Sequence, residues 1–231
     1  MTNKKIIILI GAPGSGKGTQ ANLLAQKLDL YHLETSKLLE NTFKNKQEKE
    51  FVEINKEKYY FEKEKDLWET GELCSTPFTL FLIQEKIKKI SEQDMGIIFT
   101  GSPRKLQEAK ILMPFLEKLF NKENIKTILL ELDVEQSIFR NSNRKICELM
   151  RHSILYNKET KNLSLCPIDG SKLITRKLDK SEIIKKRYKV YRQETLPLVV
   201  FLIKQDFILH KINADQSVAS IFSDIIKKLK L

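Results

Sequence analysis

The sequence lacks the features of a disulfide-linked, secreted or membrane-spanning protein. It has three cysteines among 231 residues, too few and odd in number for a disulfide framework, which favours a reducing compartment, the cytoplasm. No apolar run approaches the roughly 20 residues that a membrane helix needs. The run IIILI near the N-terminus is too short for a signal peptide and leads into a glycine-rich loop. We therefore interpret it as a strand.

Glycine and proline are also scarce, at 8 and 6 residues, and neither a linker nor an internal repeat divides the chain. A single domain over residues 1–231 is expected. The net charge of +11 leaves two interpretations open, a surface for nucleic acid or membrane and a lysine-rich surface around a phosphate-binding cleft. The lysines are scattered among glutamates, and no ribonucleoprotein or zinc-finger signature is present. We favour the second interpretation and expect neither nucleic acid nor a membrane as partner.

Apolar segments with β-branched residues alternate with segments of helical pattern. The predicted strands are Ile6–Ile10, Tyr31–Leu33, Gly96–Thr100, Ile125–Leu132 and Phe207–Ile212, and the predicted helices cover residues 17–28, 76–90, 105–120, 134–150, 180–203 and 217–230. The alternation predicts an α/β fold, a parallel five-stranded sheet with helices on both faces. Two segments interrupt it: residues 35–71, charged and largely helical, and residues 145–176, polar and irregular. Such insertions at the rim of a sheet are typical of mobile lids.

The stretch GAPGSGKGTQ, from Gly11 to Gln20, directly follows the first predicted strand. A glycine loop between a strand and a helix points several backbone N–H groups at one place, beside the positive end of the helix. Lys17 can reach the outer phosphates of a nucleotide there, and Thr19 can offer its hydroxyl to Mg²⁺. The residues of this loop predicted to bind ATP are Gly14, Ser15, Gly16, Lys17, Gly18 and Thr19.

The loop differs from the usual phosphate loop because Gly18 separates the lysine from the threonine, and in this it resembles the adenylate kinase family. The resemblance extends over nearly the whole chain. The other matching segments are WETGELC at 68–74, SPR at 102–104, RNSNR with Arg140 and Arg144, and the pair Arg176 and Arg187, eleven residues apart. The resemblance implies a P-loop NTPase-like fold in which residues 35–71 form a monophosphate-binding subdomain and residues 145–176 form a lid.

The resemblance also implies reversible phosphoryl transfer from Mg·ATP to a nucleoside monophosphate, with AMP as the expected acceptor, by a monomer. The implied catalytic residues are Lys17, Arg104, Arg140, Arg144, Arg176 and Arg187. Lys17 and Arg144 would hold the donor phosphates, and Gln216 would also lie on the donor side. Arg104 and Arg187 would hold the acceptor phosphate, while the other two arginines would bridge toward the transferring group. The residues implied in acceptor binding are Thr35, Leu73, Cys74, Gly101, Arg104, Glu108, Arg176 and Arg187.

The acceptor side departs from the family pattern. Where the family has S-T-G-D-x-x-R, the chain reads ETSKLLE, so Glu40 replaces the arginine that holds the monophosphate. A carboxylate there is expected to repel a phosphate, so Glu40→Arg is predicted to lower the KM of the acceptor. Thr100 replaces the acid expected to hold the water shell of Mg²⁺, Ser102 replaces a phenylalanine, and Glu108 replaces the glutamine that reads adenine.

These departures leave alternatives open. A neighbouring cation at Lys37, Lys44 or Lys46 could replace the missing arginine. Otherwise the chain binds ATP but transfers phosphate slowly, transfers it to another acceptor, or serves as a nucleotide-binding regulatory protein. The interpretation as a nucleic-acid-dependent ATPase has less support, because the strand at 96–100 ends in Thr100 rather than in an acid.

The segment 145–176 also contains residues that could bind a zinc ion. Zinc-bearing lids of the family use C-x-x-C and C-x-x-[CD], whereas here Cys147 is followed by Met150, and Cys166 by Asp169. A thioether is a poor zinc ligand, although His152 is close enough in sequence to replace it. We favour a site that has lost its metal, with the cysteines as small apolar fillers, and expect no zinc.

Overall fold

The computed structural model describes residues 5–45, 49–176 and 179–230. The strands are β1 (Ile6–Gly11), β2 (Leu30–Glu34), β3 (Phe51–Ile54), β4 (Glu57–Tyr60), β5 (Gly96–Thr100), β6 (Ile125–Glu131), β7 (Lys145–Cys147), β8 (Ser153–Ile154), β9 (Leu173–Ile174) and β10 (Leu209–Asn213). The α-helices are α1 (Lys17–Leu28), α2 (Thr35–Lys44), α3 (Phe61–Glu69), α4 (Thr76–Ser91), α5 (Leu106–Phe120), α6 (Val134–Asn143), α7 (Ser181–Val190), α8 (Leu196–Lys204) and α9 (Val218–Leu229).

A five-stranded parallel sheet in the order β10–β6–β1–β5–β2 forms the centre of the molecule. Helices α4, α5 and α8 pack on one face of it, and α1 and α9 pack on the other. This arrangement confirms the predicted α/β fold. Within the described ranges, no helix combines the length and the apolar character needed to cross a bilayer.

The composition of β1 explains its central position. All six of its residues are buried. Ile6 and Ile8 pack toward α4, α5 and α8, whereas Ile7 and Leu9 pack toward α1 and α9. A strand covered on both faces needs apolar side chains on both, so its apolar run is continuous rather than alternating. Because all five strands are parallel, the loops that follow them meet at one edge of the sheet, where ligands bind in such folds.

The segment 35–71 is helical at both ends, as expected, but it contains a β-hairpin that the sequence analysis did not predict. Strands β3 and β4 pair antiparallel and are joined by Asn55 and Lys56, with φ values of +52° and +69°. Two successive residues with positive φ are typical of the tight hairpin turns that match the twist of paired strands. Val52 packs against the small core around Phe43, which anchors the hairpin to the helices.

The segment 145–176 carries a small antiparallel sheet, in the order β8–β7–β9. The helix predicted over 134–150 therefore ends earlier, at Asn143. It ends there because Arg144 has an extended backbone, with φ −69° and ψ 135°, and leads into β7. The helix predicted over 180–203 is present but contains a π-helical turn between α7 and α8.

Candidate active site

The loop after β1 forms a cradle at the N-terminus of α1. Gly16 has φ +87°, a left-handed conformation that side chains rarely adopt, and it immediately precedes the first helical residue, Lys17. Gly14 and the buried Ser15 complete the loop, while Gly18 and Thr19 belong to the first helical turn. That turn, KGTQ, has no acidic residue to compete for its N–H groups. The six residues predicted to bind ATP thus surround one helix N-terminus, which favours an anion.

The ammonium group of Lys17 folds back over this loop. Its Nζ donates hydrogen bonds to the carbonyl oxygens of Gly11 at 2.8 Å and Ala12 at 2.7 Å. Burial, followed by the charges of Arg104, Arg187 and Arg144, holds the pKa of Lys17 well below its ordinary value. A cation crowded by other cations gains strongly from a nearby anion, so this site favours a multiply charged ligand.

A cleft with an empty volume of about 840 Å³, including its opening to solvent, lies beside the loop. The predicted catalytic cations that line it are Lys17, Arg104, Arg176 and Arg187. They come from four distant parts of the chain, after β1, after β5, after β9 and from α7. The fold therefore assembles one polycationic cleft from residues that the sequence scatters.

The arginines of the cleft shift one another's pKa. Burial, followed by Arg104, Arg144 and Arg176, lowers the pKa of Arg187 to about 9. Burial is also the first cause that lowers the pKa of Arg104 and of Arg176. Like charges in a desolvated site disfavour each other's charged form, and bound phosphates would reverse this effect.

Asp179 orients two of these arginines, and the sequence analysis did not single it out. Its carboxylate accepts hydrogen bonds from Arg144 Nε at 3.0 Å and from Arg144 Nη2 at 2.7 Å. Arg187 Nη1 lies 3.8 Å from the same carboxylate, whose side chain is fully buried. One acid thus links an arginine predicted on the donor side with one predicted on the acceptor side. Its place three residues after Arg176 was the available sequence signal.

Arg140 and Gln216 lie together at the loop after β10. Arg140 Nη1 donates to the carbonyl oxygen of Ala214 at 2.8 Å, and Nη2 lies 3.2 Å from Asp215. Gln216 donates to the carbonyl oxygen of Asn213 at 2.9 Å. These contacts leave the donor-side role of Gln216 a prediction. They do not favour the predicted bridging role of Arg140, whose guanidinium is held at the loop rather than in the polycationic cleft.

The other residues predicted to bind the acceptor line an adjoining recess of the cleft. They are Thr35, Leu73, Cys74, Gly101 and Glu108. Thr35 is buried, and within the described part of the chain its Oγ1 has no hydrogen-bond partner. Because buried hydroxyls are usually paired, Thr35 is ready to bind a polar ligand group. Cys74 accepts a hydrogen bond from Lys105 through its carbonyl oxygen at 3.0 Å. Burial raises the pKa of the Cys74 thiol to about 12, so the thiol stays neutral.

Comparison with known proteins identifies the family. A family model described as adenylate kinase matches residues 9–207. The chain belongs to the adenylate kinase family. Proteins named adenylate kinase that it resembles come from Petrotoga mobilis, at 29% identity over 97% of both chains, and from Borrelia turicatae, at 31% identity over 96% of this chain and 97% of the other. That of Chlamydia trachomatis serovar D is 30% identical over 96% of this chain and 89% of its own. The chain is therefore a nucleoside monophosphate kinase that uses ATP.

Glu108 takes the place of the family's adenine-reading glutamine. Its carboxylate accepts hydrogen bonds from the Ser102 hydroxyl and, at 2.7 Å, from the backbone N–H of Arg104. Burial raises the pKa of Glu108 above its ordinary value. Both carboxylate oxygens thus accept hydrogen bonds from the loop between β5 and α5, and a carboxylate lacks the N–H donors of the glutamine that it replaces.

Glu40, in place of the family arginine, lies between two cations. Its Oε1 is 3.2 Å from Lys44 Nζ and 3.4 Å from Arg151 Nη2. Two other lysines were considered as replacements for the missing arginine. Lys37 Nζ lies 3.3 Å from the carboxylate of Glu34, and Lys46 lies outside the described residues. The carboxylate of Glu40 is thus compensated by one cation of its own helix and by one from the turn between β7 and β8.

Thr100 replaces the acid that the family has at the end of β5. Its Oγ1 lies 2.8 Å from Nε2 of His32, and Nδ1 of His32 lies 2.7 Å from Asn22. Burial lowers the pKa of His32 to about 4, so the imidazole is neutral at physiological pH. Glu34 is the register partner of Thr100 on the neighbouring strand, so a carboxylate is present at this edge of the sheet, one strand away.

Four potential metal ligands converge in the segment 145–176. They are Cys147, His152, Cys166 and Asp169, whose ligand atoms all lie within 4.8 Å of one another. Nδ1 of His152 is 3.5 Å from Sγ of Cys147, 3.6 Å from Sγ of Cys166 and 3.1 Å from the Asp169 carboxylate. Metal–ligand bonds of about 2.0–2.3 Å place the ligands of a tetrahedral zinc ion roughly 3.3–3.8 Å apart, so these residues fit zinc. Met150 is exposed and does not belong to the cluster.

Proposed function

We propose that the enzyme catalyses the reversible reaction of Mg·ATP with AMP to give two molecules of ADP. The observation that carries the proposal is the convergence of Lys17 with Arg104, Arg176 and Arg187 on one cleft beside the phosphate loop. Two nucleotides that meet there bring several phosphate charges together. Preorganised cations stabilise such an assembly, and phosphoryl transfer depends mainly on positioning and on this electrostatic stabilisation.

On the donor side, the N–H groups at the start of α1 and the ammonium of Lys17 hold the ATP phosphates. An oxygen of the acceptor phosphate attacks the γ-phosphorus, and the bond from this phosphorus to the β–γ bridging oxygen breaks. The bond electrons remain on the bridging oxygen, so ADP leaves while the γ-phosphoryl group moves to the acceptor. Lys17 leaves its carbonyl partners to follow the charge of the transferring group.

On the acceptor side, Arg104 and Arg187 hold the attacking phosphate, and Arg176 lies between the two nucleotides. Asp179 fixes the guanidinium of Arg144 and lies close to that of Arg187, so these donors are positioned before the substrates bind. Such positioning, rather than acid–base chemistry, is what this reaction requires of the protein.

Magnesium would be held by the Thr19 hydroxyl together with the phosphate oxygens of ATP. Mg²⁺ prefers oxygen ligands, keeps several waters and binds substrate phosphates. Thr19 lies in the first turn of α1, and the Thr100 hydroxyl and the Glu34 carboxylate lie at the ends of neighbouring strands. When bound, the ion neutralises part of the phosphate charge. Glu34 is the residue that would anchor the water shell in place of the acid missing at position 100.

AMP is the proposed acceptor because the recess around Thr35 offers the hydrogen bonds that an adenine edge needs. A protonated Glu108 donates to the unprotonated ring nitrogen N1 and accepts from the exocyclic amino group. An ionised Glu108 would accept only, which suits the N–H groups of guanine instead. The Thr35 hydroxyl, which has no partner among the described residues, offers a donor or an acceptor in either case.

Residues 35–71 are proposed as the monophosphate-binding subdomain and residues 145–176 as the lid that excludes water, a competing acceptor. The incomplete cysteine pattern led us to expect no zinc, but the geometry of the four convergent side chains supports a structural zinc ion in the lid. His152 would supply the fourth ligand, which the pattern expects from position 150. The ion would hold the two halves of the lid together and take no part in the transfer. The enzyme is further proposed to act as a cytoplasmic monomer on free nucleotides, without nucleic-acid or membrane partners.

The test is product analysis after incubation with ATP, Mg²⁺ and each of AMP, GMP, CMP and UMP in turn. The proposal predicts ADP as the product with AMP, at a rate well above the rates with the other three. The alternative is weak or altered acceptor activity, which the ionised form of Glu108 would favour. Faster transfer to GMP would establish an altered acceptor, and ATP binding without transfer to any monophosphate would contradict both activities.

A further inference from the structure

The contact between Glu40 and Arg151 joins two parts of the molecule that face each other across the cleft. Glu40 lies in α2, on the monophosphate-binding side, whereas Arg151 lies in the turn between β7 and β8 of the lid. Their charged atoms are 3.4 Å apart, and the two side chains are 20% and 36% exposed. The pair therefore forms at a half-buried boundary where the lid meets the subdomain beneath it.

The turn that presents Arg151 is held by its own contacts. The backbone N–H of Cys147 donates to the carbonyl oxygen of His152 at 3.1 Å, and the N–H of His152 donates to Sγ of Cys147 at 3.1 Å. Arg151 has φ +60°, a left-handed conformation that residues with a side chain rarely adopt. The conformation persists because the closed turn imposes it, and it directs Arg151 to α2 rather than along the strand.

The charges around the cleft explain why a carboxylate is useful at position 40. Arg151 is one of the charges that lower the pKa of Arg176, so it lies within the field of the cleft arginines. Without an acid nearby, these cations would repel Arg151 and hold the lid open. Glu40 supplies the opposite charge on the far side of the cleft, and Lys44 keeps the carboxylate compensated. Glu40 is thereby directed to the lid instead of to the acceptor phosphate.

We propose that Glu40 and Arg151 are a positioning pair that latches the lid onto the monophosphate-binding subdomain when both nucleotides are bound. This inference rests on the proposed function of the cleft as the site of both substrates. Exposed ion pairs contribute little to the stability of a fold. A pair that exists only in the closed form nevertheless contributes its whole interaction free energy to the equilibrium between the open and closed forms.

The test is a charge-reversal cycle made of Glu40→Arg, Arg151→Glu and the double variant. Each single variant should raise the KM of the acceptor about 3- to 10-fold, because the closed complex loses an ion pair and gains a like-charge contact. The double variant should return to within about twofold of wild type, because it restores the pair in reverse. The kcat should stay unchanged or rise, since opening of the lid is part of each turnover.

Matched controls reverse charges elsewhere on the same two segments. Glu62→Arg changes an exposed residue of α3, and Lys158→Glu changes an exposed residue of the lid. Neither should alter the KM of the acceptor beyond about twofold. These controls therefore distinguish the effect of the Glu40–Arg151 pair from the effect of a change in the overall charge of the protein. In wild type, added salt should also raise the KM more steeply than in the Arg151→Glu variant.

Hydrogen–deuterium exchange gives a readout that does not depend on turnover. With ATP and AMP bound, the backbone of residues 147–153 should exchange about 3- to 10-fold faster in each single variant than in wild type or in the double variant. A lower acceptor KM in Glu40→Arg, with no rescue by the second change, would overturn the latch and restore the repulsion first expected from the sequence. If wild type transfers no phosphate, the proposed function fails, while exchange in the nucleotide-bound protein still decides whether the pair forms.

Discussion

The donor and acceptor sides of the cleft follow the family pattern to different degrees. On the donor side, the phosphate loop keeps the family's lysine, glycines and threonine, and the structure places them around one helix N-terminus. On the acceptor side, Glu40 and Glu108 replace residues that would contact the monophosphate, yet each has partners of its own. The phosphate loop depends on backbone conformations that favour glycine, such as the positive φ of Gly14 and Gly16. A site built from side chains can instead be rebuilt with other side chains.

The largest expected effect is on the donor side. Lys17→Ala should lower kcat on the order of 10²-fold or more, because the ammonium stabilises charge on the transferring phosphoryl group. The melting temperature should change little, since Lys17 is the first residue of α1 and burial and neighbouring cations already lower its pKa. Stopped-flow or steady-state kinetics at saturating ATP provide the measurement.

Lys27→Ala, at an exposed position at the end of the same helix, is the matched control and should retain full activity. Wild-type turnover in Lys17→Ala would remove Lys17 from the transfer step.

The next effect should be confined to the acceptor side. Arg187→Ala is expected to raise the KM of AMP about 10- to 100-fold, because a hydrogen bond between charged groups is lost. The Kd of ATP, measured by calorimetry, should change by no more than about threefold. Arg192→Ala, at an exposed position in the π-helical turn, is the control. Equal losses of affinity for ATP and for AMP would show that Arg187 binds both nucleotides. The assignment of Arg187 to the acceptor side alone would then be wrong.

Zinc should stabilise the fold of the lid, so its removal should affect the donor and acceptor sides of the cleft equally. We expect about one zinc per chain in metal analysis, and removal by a chelator should lower the melting temperature by about 5 °C or more. His152→Ala should bind zinc more weakly, whereas Met150→Ala should not, because Met150 lies outside the cluster. Protein that is free of zinc yet has an unchanged melting temperature would return the cluster to the role of apolar filler expected from the sequence.

The smallest effect concerns Glu108 and depends on pH. The folded protein raises the pKa of Glu108 above its ordinary value of 4.5, so its contribution to stability is complete below that value and is lost as pH rises through the folded pKa. Glu108→Gln has no such group, so its free energy of unfolding relative to wild type should improve as pH rises above about 4.5. Urea unfolding at several pH values measures this difference. A difference that is constant with pH would mean that burial does not perturb Glu108.

The sequence predicted the parts of the molecule that depend on local order. The strand before Gly11, the glycine loop and the alternation of strands with helices are contiguous patterns, and all were confirmed in the sheet. The hairpin around Asn55 was not predicted, because its two strands have only four residues each and lie within a charged segment whose pattern was interpreted as helical.

Contacts between distant segments could not be read from the sequence in the same way. The pairing of Glu40 with Arg151 depends on how the turn between β7 and β8 meets α2 in space. The pairing of Arg144 with Asp179 depends on how the end of α6 meets the start of α7. The position of His152 among the cysteines depends on a turn with positive φ. Family spacing indicates which residues to compare, but it does not show which partner a substituted residue acquires.

The central claim is that both sides of the cleft still act in one transfer reaction, and the fate of the γ-phosphate tests it most directly. ATP carrying a radiolabelled γ-phosphate is incubated with the enzyme and Mg²⁺, with and without AMP, and the labelled products are separated. The account predicts that the label appears in ADP only when AMP is present, with little inorganic phosphate. Label released as inorganic phosphate at the same rate with and without AMP would contradict it, because water would then be the acceptor.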